Sequence, residues 1–154
     1  MSINRLEVFD TTLQKTHEWL QEIMQQLGTE NRQEAYLILR ATLHTLRDRL
    51  PLEETAHLGA QLPMLIRGIY YESWRPSLEV CKMHRNEFFE CVLAHFTRTA
   101  LEKVDPEPAI RAVFRTLSRN IAAGEVSKII HVLPDDLKDL WEPSETRIAR
   151  AQAM

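Results

Sequence analysis

Two stretches of this chain match each other without a gap. With residues 39–70 laid over 110–141, Arg40/Arg111, Ala41/Ala112, Thr45/Thr116, Leu46/Leu117, Glu54/Glu125, Leu62/Leu133 and Pro63/Pro134 are identical. Apolar character is kept at Leu39/Ile110, Leu43/Phe114, Leu50/Ile121, Leu58/Ile129, Ile66/Leu137, Ile69/Leu140 and Tyr70/Trp141. After a two-residue shift, Trp19, Leu20, Ile23, Met24 and Leu27 fall on Phe88, Phe89, Val92, Leu93 and Phe96. Any two amphipathic helices align passably, but not with two Leu-Pro pairs in register. The match predicts an internal duplication. A unit of about 70 residues buries little surface alone, so the halves should share one core about a pseudo-twofold axis. Two copies are too few for an open solenoid.

Apolar periodicity assigns helices to the repeat. Phe9, Leu13, Leu20, Met24 and Leu27, with His17 in the gap, predict a helix from Asp10 or Thr11 to Leu27, capped by Asp10 and ended by Gly28. Asn31 and Glu34 resemble a capping box, and Ala35, Leu39, Leu43, Leu46 and Leu50 form the next core face up to Pro51. A short helix over 52–61 follows, then a break at Leu62 and a helix from Pro63 to about Tyr71. In the second copy a helix is expected from about Lys82 to Lys103, and another is started by Asp105-Pro106. Gly124 suits a left-handed helix end. Glu125–Val132 is the short helix, and Pro134 opens the last, with Asp135 and Asp136 near its positive end. The expected architecture is all-α. Residues 1–154 form a single globular unit, with repeats at 10–72 and 82–142, and a tail at 143–154 that adds a frayed turn or two.

Composition removes several function classes. The 154 residues carry a net charge of −3, which argues against a nucleic-acid binder, since such proteins usually carry a basic excess. No apolar run approaches the roughly 20 residues of a membrane span. The start of the chain mixes Arg5, Glu7 and Asp10 with apolar residues, unlike a signal peptide. Cys81 and Cys91 would sit roughly 15 Å apart along a helix, too far to bridge, which fits reduced thiols and a cytoplasmic location.

The run Ala35…Leu39-Arg40…Leu43…Leu46-Arg47…Leu50-Pro51…Glu54…Leu58-Gly59-Ala60-Gln61-Leu62-Pro63, with Glu125…Leu133-Pro134…Leu137…Trp141, resembles the bacterial domain of unknown function 2267. The likeness covers roughly Leu13 to Trp141. It implies an all-helical bacterial cytoplasmic protein with a duplicated core, and carries no catalytic residues. The copies differ at Met64-Leu65 against Asp135-Asp136 and at His57 against Lys128. Those differences are where function is to be sought.

Four constellations invite chemistry. His84, Glu87, Cys91 and His95 share one stripe and are all metal-ligating types, but one straight helix lets at most two of them hold an ion. Glu54-x-x-His57 has the spacing of di-iron bundles. Such sites need a second motif, and Lys128 replaces the second histidine, so that reading is rejected. Glu54 and Glu125 are read instead as favouring the positive starts of their helices. Arg40, His44 and Arg47 and their counterparts Arg111, Arg115 and Arg119 read as a solvated, ion-paired face, with Arg40 and Arg111 as candidate partner contacts. Tyr70 belongs to the core. Tyr71 and Trp74, beside Arg67 and Arg75, suit either a packed junction or a contact surface. There is no catalytic set: Cys91 and His95 lack a donor loop, and no glycine-rich phosphate loop exists.

The expectation is therefore a non-catalytic binding or regulatory module without a cofactor. Its company would be a protein partner or a homo-oligomer, with no nucleic acid and no membrane. The alternative is a small-molecule or metal-binding protein with its site between the two halves.

Overall fold

The computed structural model describes residues 5–77, 79–96 and 103–141. Those residues form eight helices: α1 (Glu7–Leu27), α2 (Arg32–Arg49), α3 (Leu52–Gln61), α4 (Met64–Tyr71), α5 (Arg85–Phe96), α6 (Pro106–Asn120), α7 (Ala123–Val132) and α8 (Asp135–Lys138). A 3-10 turn, Asp139–Trp141, closes the described chain. No strand occurs among the described residues. The expected tail at 143–154 lies outside them.

The elements recur in the register of the sequence match. α3 and α7 are each ten residues long and begin and end at matched positions. Leu62 and Leu133 are both extended, with φ/ψ of −83°/144° and −82°/151°. Each is turned by the proline that follows, which keeps its predecessor out of helical geometry. Pro63 and Pro134 stand one position earlier than expected, as N-caps. Their carbonyls already accept helical bonds from Arg67 and Leu137.

The packing is interlocked. α1 crosses onto α6, and α5 onto α2, while α2 meets α6 and α3 meets α7. Trp19, Ile23, Leu39, Leu43, Leu46, Leu58, Ile66, Tyr70 and their counterparts Phe88, Val92, Ile110, Phe114, Leu117, Ile129, Leu137 and Trp141 make one apolar cluster. Neither half has a core that excludes the other. Tyr70 is fully buried, its hydroxyl donating to the Thr55 carbonyl at 2.8 Å. Trp141 stacks on Phe114 with ring centroids 4.1 Å apart.

Several local expectations need correction. α1 starts at Glu7, so Asp10 lies inside it and pairs with Arg5 instead of capping. Leu13 and Phe9 are exposed, as is His17, although the periodicity places them on the core face. α5 starts at Arg85, not Lys82. The Asp136 carboxylate accepts from the Arg85 N–H at 3.1 Å and so supplies a helix start from another element. Gly124 is inside α7, and α6 ends instead on extended Ile121. Gly28 does take the left-handed conformation, with φ of 66°. Asn31 and Asp105 do cap, accepting from the N–H groups of Glu34 and Glu107.

Candidate functional site

The basic stripe of α2 is largely internal. His44 and Arg47 are buried, and both face the C-terminal end of α4, where helical carbonyls lack partners. His44 Nε2 meets the Ile69 carbonyl at 2.7 Å, and Arg47 donates to the carbonyls of Tyr70 at 2.8 Å and Glu72 at 3.0 Å. Arg47 also pairs with Asp48, at 2.9 Å. Arg40, half-buried, reaches Glu72 at 3.4 Å.

In the second half the same helix end is held differently. Arg111 donates to the Asp139 carbonyl at 2.8 Å and pairs with Glu107 and Asp139, while Arg85 bridges those same two carboxylates. Arg111 thus ties this helix end to α6. A solvated face does not describe these side chains, whereas Arg115 and Arg119 are exposed as expected.

Burial pushes the His44 imidazole below its ordinary value of 6.5, outweighing the bond to Ile69, which raises it; Arg47, Arg40 and His95 add to the lowering. The neutral ring therefore donates Nε2–H to Ile69. As pH falls below about 6.5, the unfolded chain takes up a proton that the folded chain refuses. The contribution is complete above the unfolded value and is lost as pH falls toward the folded one. Urea midpoints at pH 7.5 and 5.5 should drop more in the native chain than in His44→Gln. Equal drops would contradict this account.

The stripe on α5 does not converge. His84 precedes the helix, is exposed and lies 3.3 Å from Asp136. Glu87 is exposed at the first turn. Cys91 is half-buried, and burial, more than the nearby acidic groups and Cys81, pushes its thiol upward, away from a reactive thiolate. His95 packs edge-on to His44, with centroids 6.0 Å apart. Cys81 and Cys91 are free thiols.

Tyr71 leans on Tyr70 and on Trp74, with centroids 4.9 and 5.3 Å apart. Its ring fills the space over Gly59. Trp74, half-buried, borders an open cavity of about 300 Å³ with Arg47, Asp48, Leu52, Arg75 and Cys81. Tyr71 is thus junction packing, while Trp74 keeps an open side.

The residues the sequence reading set aside are the ones that meet. Glu54, His57 and Glu125 each offer a ligand atom within 4.8 Å of the other two. Glu54 and Glu125 are matched positions in the first turns of α3 and α7, the two helices that pack across the seam. Neither helix has a side-chain cap at its start. The identity of Glu54 and Glu125 in the sequence match was the available signal: equivalent residues close to a twofold axis face each other.

The fold and the seam define an all-helical protein of two interlocked, similarly built halves, with paired acidic residues where equivalent helices touch. The chain belongs to the family described as an uncharacterized conserved protein, DUF2267, whose profile matches residues 16–140. No curated protein matches the chain. No helix among the described residues is long and apolar enough to cross a membrane.

Proposed function

We propose that this protein is a non-catalytic binding module that docks another protein on the apolar overhang of α1. The observation that carries the reading is a run of exposed apolar side chains: Leu6, Val8, Phe9 and Leu13, from 48% exposed at Leu13 to 57% at Phe9. They continue the periodic stripe that buries Trp19, Leu20, Ile23 and Met24 further along the same helix. Met64 and Leu65 of α4 are exposed beside them, and the Leu65 N–H donates to Thr12 Oγ1 at 2.8 Å. A groove of about 430 Å³ runs between Val8, Thr12 and Lys15 on one side and Pro63 and Met64 on the other. Contiguous exposed apolar surface marks interaction sites, and a groove beside a helix suits an amphipathic partner helix.

Among the described residues of the second half, no equivalent of the Met64-Leu65 side of the groove is found. Asp135 and Asp136 stand where Met64 and Leu65 do, and Asp136 is engaged with the start of α5. An isologous dimer also uses one such surface per chain, so crosslinking separates a different protein from a second copy. We read the module as cytoplasmic, in keeping with its two free thiols. A photo-crosslinking phenylalanine analogue at position 9 tests the reading in cells. The expected result is one discrete adduct with another protein, absent when the analogue stands at exposed Lys128 and weakened at least tenfold by Leu13→Glu. Equal yields at both positions would sink the reading. An adduct only with a second copy would make the chain a homo-oligomer instead.

A further inference from the structure

Buried carboxylates normally accept hydrogen bonds, because leaving an acceptor dry and unpaired is costly. Two at the α3–α7 seam do not. Glu125 is only 9% exposed, and its Oε1 has no hydrogen-bond partner. Glu54 Oε2 is buried and likewise unpaired. His57 stands one turn on from Glu54, with its Nδ1 3.9 Å from Glu54 Oε2. That distance is too long for a hydrogen bond. Two acidic groups thus point into one small space, and the helix starts behind them offset only part of their mutual repulsion.

We propose that Glu54, His57 and Glu125 hold one divalent transition-metal ion at the seam between the two halves. Two carboxylates and an imidazole suit a first-row ion of the zinc or manganese type. Ligand atoms around zinc stand about 3.4 Å apart when metal–ligand bonds are about 2.1 Å. The three donors, within 4.8 Å of one another, need to close by up to about 1.4 Å. The closure falls to His57, whose side chain is 44% exposed and free to turn. Its exposure also gives the ion an entry path and leaves a coordination position open to solvent.

Lys128, at the counterpart of His57, brings a cation instead of a ligand, so the site is built for a single ion rather than a pair. The ion would cross-link the halves through one glutamate from each. Nothing in this inference depends on the α1 surface.

The test is zinc titration of the chelator-treated full chain by calorimetry, repeated with manganese. One equivalent of either ion should bind. Glu125→Gln and His57→Asn should each weaken it at least tenfold, since the amide variants keep shape without the carboxylate or imidazole. A Cys91→Ala, His95→Ala double variant should bind as the native chain does. His57 is exposed, so its variant remains folded even if Glu125→Gln does not. The inference is overturned if neither ion binds more tightly than about 0.1 mM, a free energy of roughly 5 kcal/mol. It is equally overturned if binding survives His57→Asn and Glu125→Gln, or is lost only with Cys91 and His95.

Discussion

Arg47→Met is expected to lower the stability of the chain by about 3 kcal/mol, the largest single effect anticipated from a side chain outside the apolar core. The methionine keeps most of the aliphatic stem that packs beneath α4, so the loss isolates the guanidinium. That group is 5% exposed and gives two hydrogen bonds to carbonyls at the end of α4, at 2.8 and 3.0 Å. Hydrogen bonds from a charged donor contribute about 1.5–3 kcal/mol each, and the carbonyls left behind lose partners they cannot replace within the helix. Asp48 moderates the cost. It is half-exposed, so water takes over when its partner leaves. Urea unfolding gives the number. A midpoint within error of the native chain would mean that water already satisfies those carbonyls. Arg40→Met, whose pair with Glu72 is exposed on the glutamate side, should lose about 0–1 kcal/mol and serves as the comparison.

Arg47 also illustrates where the sequence stops informing. The repeat and its periodicity located α3 over 52–61, both Leu-Pro corners and the core positions Leu39, Leu43, Leu46, Ile110, Phe114 and Leu117, but not Ile38 or Ala109. Those features are local, set by proline geometry and the helical period. The stripe of Arg40, His44 and Arg47 obeys the same period. Whether it meets water depends on α4 folding back over it, which a pattern within α2 does not encode. Phe9 and Leu13 err in the opposite sense. Their spacing says that they share a face with Leu20 and Met24, but not that this end of the face stays exposed. The seam was legible in principle. Glu54 and Glu125 match in the alignment, yet their meeting requires α3 to pack against α7. Only packing shows that the equivalent short helices, and not only the long ones, touch each other.

Gly59→Ala should destabilise the chain by about 1–3 kcal/mol, although alanine is the better helix former. Gly59 sits inside α3, where exchanging glycine for alanine normally gains about 0.5–1 kcal/mol. Here the new methyl would stand 2.7 Å from Tyr71 Cε2 and closer still to the phenolic oxygen. The ring would have to leave its place against Tyr70 and Trp74. The second half supports this cause: α7 carries Ile130 at the position of Gly59, and the residue matched to Tyr71 there is Glu142, with no ring to accommodate. A double-mutant cycle separates space from propensity. Introduced into Tyr71→Ala, the same Gly59→Ala change should stabilise by about 0.5–1 kcal/mol, reversing its sign. Equilibrium unfolding of the four proteins measures the coupling. Equal effects in both backgrounds would show that Tyr71 swings aside freely and that Gly59 is glycine for another reason.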